Sequence, residues 1–398
     1  MEQVRTIIAR TREQGDRALF EYSRIFDDVT LDTLSVFCQS SNSDKTIGNA
    51  LETAIATIRD YHLAVKPQNV EVETAPGVRL TKVYKPISRV GLYVPGGETP
   101  LISSLLMLAI PANIAGNPIK VVCTPPNREG RINPILLTAA QMCGIEKVYS
   151  VGGAQAIAAM AYGTESIPKV DKIFGPGNRY VTAAKTLVAQ DPSAASIDMP
   201  AGPSELMVLA DAKANPDFVA ADLLSQAEHG IDSQVMLVTD SGSFLQKVFE
   251  CLQRQQSTLS RQAIIRQSLE NSRAIICETV QEMVKIANAY AAEHLIINIK
   301  NPESVLEDIQ AAGSIFVGPW AAESMGDYVS GSNHVLPTYG YARSISGLST
   351  IDFMNAVSIQ QISPLGITTL GGAAKTLALC EGLSAHANAI RVREEALC

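Results

Sequence analysis

Charge, aromatic rings, histidine and paired cysteines are all scarce in this sequence. Only 18 % of its 398 residues are Asp, Glu, Lys or Arg, and 5 % are aromatic, with a single Trp. The 32 basic residues face 40 acidic ones, a net charge of -8. Such a chain has no electrostatic footprint for DNA or RNA, and nucleic acid is excluded as a partner. The seven cysteines, Cys38, Cys123, Cys143, Cys251, Cys277, Cys380 and Cys398, are odd in number and none forms a CxxC pair. Reduced thiols of a cytoplasmic protein fit that pattern better than a disulfide framework. A metal site would have to use nitrogen and oxygen ligands. No apolar run is clean enough for a membrane span of about 20 residues. Leu101–Ile119 is broken by Pro111, Asn113, Gly116, Asn117 and Pro118, and Phe353–Ala374 by Gln360, Gln361, Pro364, Gly371 and Gly372. The first residues, MEQVRTIIARTREQGD, mix charge with apolar positions and contain no signal-peptide core. The expectation is a soluble, cytoplasmic protein with no membrane partner.

What is present is 46 % hydrophobic residues, too many for a disordered chain. The length exceeds what one core usually supports, so two or more domains are expected. The low charge fraction favours a large interface between subunits. Residues 1–64 carry apolar positions at helical spacing, and 69–94 alternate as a small antiparallel patch. From about residue 93, strand, Gly-rich turn and helix recur. Ile119–Cys123, Val148–Val151 and Lys172–Phe174 read as strands, the last two followed by Gly152-Gly153-Ala154-Gln155 and Gly175-Pro176-Gly177-Asn178. Leu206–Leu209, Gln234–Val238, Leu295–Ile299 and Ser314–Gly318 read as further strands. Helices are expected at Asp217–Glu228, Phe244–Leu269, Val280–Ala292 and Val305–Ala311, with a mostly helical tail after 351. The repeat predicts α/β architecture with parallel sheets. Neither glycine turn gives GxGxxG, so the usual dinucleotide fingerprint is absent. The turns are either phosphate-binding helix entries or ordinary strand–helix connections.

Only five histidines occur, His62, His229, His294, His334 and His386. His62 reads as a helix-face residue without catalytic duty. Gln226 and His229 are spaced to share a helix face, and both are neutral ligands able to hold zinc beside a carboxylate. Glu228-His229 and Glu293-His294 each end a predicted helix and enter an apolar strand. A histidine is the natural base at neutral pH, and a neighbouring Glu can position water. Both pairs equally suit satisfied polar residues at helix boundaries, and both precede strands, whereas sites in open parallel sheets lie at strand C-termini. Asp327 and His334 fall in a Gly-rich loop, and Glu381 and His386 flank a short loop near the C-terminus.

The segment Ser196-Ile197-Asp198-Met199-Pro200-Ala201-Gly202-Pro203-Ser204-Glu205 resembles the signature of histidinol dehydrogenases. So do GLYVPGG (91–97), VGGAQAIAAMAYGT (151–164), FGPGNRYVTAAK (174–185), DLLSQAEHG (222–230), AAEHL (291–295), GDYVSGSNHVLPT (326–338) and EGLSAHANA (381–389), in order along nearly the whole chain. The resemblance implies oxidation of L-histidinol to L-histidine through L-histidinaldehyde, with two NAD+ and one zinc ion per subunit. It implies an intertwined homodimer with two incomplete Rossmann-like domains and small helical N- and C-terminal extensions. One domain would comprise 1–92 plus 206–348 and carry the metal and catalytic residues. The other, 93–205, would contact NAD, and 349–398 would reach the partner subunit.

By motif, Gln226, His229, Asp327 and His386 match the zinc ligands, His386 coming from the partner subunit. Glu293 and His294 match the catalytic pair. Ser204, Gln226, His229, His294, Asp327, His334, Glu381 and His386 match positions around the substrate, and Tyr93, Gln155 and Asn178 match NAD contacts. The chain begins where family members usually already have an N-terminal segment, which bears on subunit packing and leaves the chemistry intact. Two other readings use the same features: a different zinc- and NAD-dependent alcohol dehydrogenase, and a metal-binding protein without redox activity.

Overall fold

Repeated strand–turn–helix units build two sheets in the computed structural model, parallel throughout except for one antiparallel edge strand in the first, and the structure describes residues 1–39, 44–96, 101–200 and 202–397. Gly97 and Ala201 of the quoted motifs, and Cys398, lie outside the described residues. The first sheet contains β1 (Ser35–Phe37), β4 (Arg89–Tyr93), β5 (Ile119–Thr124), β6 (Lys147–Ser150), β7 (Lys172–Phe174) and β8 (Ser196–Ile197), in the order β1-β6-β5-β4-β7-β8. The second contains β9 (Glu205–Ala210), β10 (Gln234–Thr239), β11 (Arg273–Ile276), β12 (His294–Asn298) and β13 (Ser314–Val317), in the order β11-β10-β9-β12-β13. A third, antiparallel sheet joins β2 (Val70–Ala75), β3 (Val78–Pro86) and β14 (Met354–Ile362).

The two parallel sheets share one winding rule. In the first, the chain leaves β4 for β5 and β6 on one side, then crosses to β7 and β8 on the other. In the second, it leaves β9 for β10 and β11, then crosses to β12 and β13. The reversal falls between β4 and β7 in one sheet and between β9 and β12 in the other. Every residue of β9 and β12 is buried, as expected where helices cover both faces.

Several expectations change. Residues 1–92 do not join the second sheet. The helices Glu2–Gln14 and Asp16–Tyr22 place Val4, Ile7, Ala18 and Leu19 in one core with Ile157, Met160 and Val181. β1 pairs with β6, and β4 lies inside the first sheet, parallel to β5 and β7. The antiparallel patch expected over 69–94 therefore ends at Pro86; Val90 and Leu92 are apolar enough to be buried on both faces. The tail is mostly helical, as expected, with the helices Pro364–Cys380 and Ser384–Glu395, and the strand β14 before them pairs with β3 along nine residues. The stretch 244–269 is two helices, Gly242–Gln256 and Gln262–Glu270, and 302–308 is only a 3-10 turn.

The helix Ile102–Ala115 escapes periodicity analysis because it is buried all round, from Ser104 to Ala112 without a break. Pro111 inside it has no N–H for the carbonyl of Met107. The side chain of Asn333 donates to that carbonyl instead, at 2.7 Å. The fold thus converts a helix defect into an anchor for the loop before His334. His62, fully buried, stands on the other side of Asn333, its Nε2 3.4 Å from the amide.

The tail is tied back through Phe353, whose ring stacks on Phe174 at a centroid distance of 4.0 Å, both rings fully buried. Phe353→Ala should lower unfolding free energy in urea by about 3–5 kcal/mol. A loss below about 1 kcal/mol would show that the stack does not anchor the tail.

Candidate active site

A cleft of about 1220 Å³ separates the carboxyl edge of the first sheet from the amino edge of the second. Pro95, after β4, and Pro176–Tyr180, after β7, form one wall. Ser204 and Glu205 at the start of β9, and Glu293 and His294 at the start of β12, form the other. This resolves the objection that Glu-His pairs preceding strands lie at the wrong sheet edge. One sheet presents its usual ligand edge, and the other faces it with its opposite edge.

The helix Val280–Tyr290 stops at Ala291, which adopts left-handed φ 57° and ψ 59°. That conformation is unusual for a residue with a Cβ and marks a locally strained reversal. Glu293 and His294 follow the reversal, so His294 opens β12 rather than ending a helix. Glu293 accepts the main-chain N–H of Glu205 on Oε2 at 2.8 Å. His294 is 4 % exposed, and its Nδ1 lies 3.3 Å from the carbonyl of Glu205. Burial pushes the imidazole of His294 down to about 4, so it is neutral near pH 7. Burial drives the carboxyl of Glu293 well above the usual range.

Asp327 stands among three imidazoles. Its carboxylate oxygens lie 3.8 Å from His294 Nε2, 3.9 Å from His334 Nδ1 and 4.0 Å from His229 Nε2. His334 Nδ1 also lies 2.9 Å from the carbonyl of Asp327, and its Nε2 is 3.3 Å from Ser104 Oγ. The helix Pro216–Ala227 ends just before His229, whose Nδ1 meets the carbonyl of Ser225 at 3.1 Å. With that nitrogen bonded to a carbonyl, the Nε2 lone pair of His229 is free. Gln226 is completely buried, and neither its Oε1 nor its Nε2 finds a hydrogen-bond partner among the described residues. A buried amide left so costs free energy unless something else bonds it.

Ser204, His229, Glu293, His294, Asp327 and His334 therefore meet at one cleft, with Asn178 on the facing wall. Asn178 caps the helix Arg179–Val188, its side-chain oxygen accepting from Tyr180 and Val181, which leaves its amide N–H groups for other contacts. Tyr93 and Gln155 are buried and do not line the cleft; Tyr93 Oη accepts the N–H of Gly153 at 3.1 Å. Glu381 and His386 are exposed on the C-terminal arm and are not brought to this cleft within one chain.

Sequence reasoning missed four neighbours. Glu323, 1 % exposed and with no hydrogen-bond partner for either carboxylate oxygen among the described residues, lies 3.4 Å from His294 Nδ1 and groups with His294 and Asp327. Burial drives its carboxyl well above the usual range. Its spacing of four from Asp327 on the helix Glu323–Tyr328 was the available signal. Glu205, Tyr339 and Ser104 carried none, because their relation to the site is purely tertiary. Tyr339 donates its N–H to Glu205 Oε1 at 3.0 Å.

Comparison with known proteins agrees with this architecture. The family model described as histidinol dehydrogenase matches residues 1–394. Histidinol dehydrogenase of Legionella pneumophila is 58 % identical over 396 residues, covering 98 % of this chain and 92 % of that protein. The enzyme of that name from Xanthomonas campestris is 52 % identical over 397 residues, with the same two coverages. The solved structure of histidinol dehydrogenase from Elizabethkingia anophelis superposes with a TM-score of 0.95 at 42 % identity, covering all of this chain and 92 % of that one. The chain belongs to the histidinol dehydrogenase family.

Proposed function

We propose that the protein oxidises L-histidinol to L-histidine through L-histidinaldehyde, reducing two NAD+ at a zinc-dependent site. The observation that carries this reading is the neutral, buried His294 beside Glu293 at a cleft whose other wall is a nucleotide-type sheet edge. Gln226, His229 and Asp327, with the partner subunit's His386, would hold the zinc ion. The unpartnered amide of Gln226 and the free Nε2 of His229 fit that use, as does the single negative charge of Asp327. When bound, zinc supplies a Lewis acid for the imidazole and amino nitrogens of histidinol, and NAD+ supplies the hydride acceptor.

The residues divide the remaining work. His294 takes the hydroxyl proton on Nε2, its Nδ1 being directed at the carbonyl of Glu205. Glu293 keeps one oxygen on the N–H of Glu205 and turns the other to a water that hydrates the aldehyde. His294 serves again as base when the hydrate is oxidised. Ser204 and His334 line the same space and orient the substrate, with His334 itself placed by Asn333 and Ser104. Tyr93, Gln155 and Asn178 shape the cofactor wall, Tyr93 by ordering the Gly153 turn.

Glu381 and His386 would complete the partner's site in a homodimer. The arm that carries them exposes Leu365, Leu377 and Leu379 at 57–65 %, an apolar surface that suits coverage by a second subunit. The six described cysteines are unpaired, which supports a reducing, cytoplasmic setting. Among the described residues no helix is long and apolar enough to cross a membrane.

Glu293→Gln should slow histidinaldehyde oxidation by about a hundredfold or more while slowing histidinol oxidation by less than about tenfold. Equal losses in separately measured half-reactions would remove the water-activating role. Asp327→Ala and His386→Ala should each reduce zinc retained after dialysis. Wild-type zinc content in either variant would refute the ligand set.

A further inference from the structure

A buried ion pair outside the catalytic cluster holds the wall that faces it. Lys185 and Asp198 have side chains 2 % and 1 % exposed, with Nζ and Oδ1 2.5 Å apart. Lys185 lies on the helix Arg179–Val188, two turns beyond its Asn178 cap. Asp198 follows β8, in the connection that leads through Met199 and Pro200 to Ser204 and the second sheet. Between them the two side chains bond both main-chain groups of Gly175. Asp198 Oδ2 accepts its N–H at 2.8 Å, and Lys185 Nζ donates to its carbonyl at 2.8 Å. Asp198 Oδ1 also accepts the N–H of Met199 at 2.6 Å.

Gly175 needs such support. Its φ is +119°, and a Cβ there would stand 2.1 Å from the carbonyl oxygen of Tyr93. The turn presses directly on the end of β4 in a backbone conformation reserved for glycine. Its peptide groups are bonded by two ionised side chains, one from the following helix and one from the segment crossing to the other sheet. Buried ion pairs are often no more stabilising than apolar residues of the same volume. Apolar residues, however, cannot bond an N–H and a carbonyl at once. The charges therefore do something that packing cannot.

We infer that Lys185 and Asp198 are positioning residues for the cofactor: they fix the Gly175–Asn178 turn against the crossing segment and so set the width of the NAD side of the cleft. This rests on the reading that the turn carries the cofactor. The consequence is specific. Loss of the pair weakens NAD+ and leaves histidinol and zinc, held by the opposite wall, untouched.

The test replaces both charges together, Lys185→Met with Asp198→Leu, so that neither is left buried alone. In the zinc-loaded dimer, KM for NAD+ should rise about tenfold or more while histidinol affinity and zinc content stay within about twofold. Hydrogen exchange should quicken at residues 174–180. Unchanged KM for NAD+ together with unchanged exchange in the folded double variant would overturn the proposal. Parallel loss of NAD+ and histidinol affinity would do the same, marking a general structural role. If the double variant does not fold, Asp198→Asn, which keeps an acceptor for Gly175, is held to the same two readouts at a threshold of about threefold. Asn178→Ala, measured alongside, separates the two ideas. If it leaves KM for NAD+ unchanged, the cofactor reading of the turn fails, whereas faster exchange in the double variant still establishes the clamp.

Discussion

The carboxylate of Glu293 on the main-chain N–H of Glu205 is the bond on which the site depends. It joins the first residue of β9 to the residue before β12, the two strands that flank the reversal of the second sheet. His294 comes next in sequence, and its Nδ1 is aimed at the carbonyl of the same Glu205. One residue's peptide groups thus register both members of the pair. Glu293 gives Oε2 to this link, and Ser204 also hydrogen-bonds its carboxyl group. The left-handed Ala291 is the backbone cost of delivering both side chains to one place.

The second constraint is the opposition of unlike sheet edges. A doubly wound sheet offers helix N-termini and glycine turns at its carboxyl edge, which suits a dinucleotide. Its amino edge offers side chains at strand starts, which suits acid–base groups. Placing one edge of each kind across a single cleft brings a turn-lined wall and acid–base side chains to one space without a GxGxxG loop. Pro176, Gly177 and Asn178 line that cleft, Lys185 and Asp198 bond the Gly175 just before them, and Tyr93 bonds the N–H of Gly153.

Much of this was legible in the residues. The parallel α/β plan follows from the recurrence of short apolar strands and glycine turns, and the sequence motifs carry His229, Glu293, His294, Asp327 and His334, which the fold brings to one cleft. What was illegible has physical causes. The helix Ile102–Ala115 is apolar on every side, so no period marks it, and its proline argues against a helix until Asn333 is seen to bond the freed carbonyl. Apolar alternation over 69–94 reads as one antiparallel patch, whereas β4, buried on both faces, pairs in parallel with β5 and β7. β14 alternates weakly because most of its side chains are exposed. Glu205 and Glu323 matter through contacts that close only in three dimensions. Glu381 and His386 stand out in the sequence as flanking a short C-terminal loop, and a single chain leaves them on an exposed arm.

One count tests the central claim, that a single base at a single site serves two successive oxidations. Purified protein is incubated with limiting histidinol and excess NAD+, and NADH formed per histidinol consumed is measured at completion. The account predicts two, with histidine as the product and no free aldehyde accumulating. A ratio of one, with aldehyde released, would contradict it.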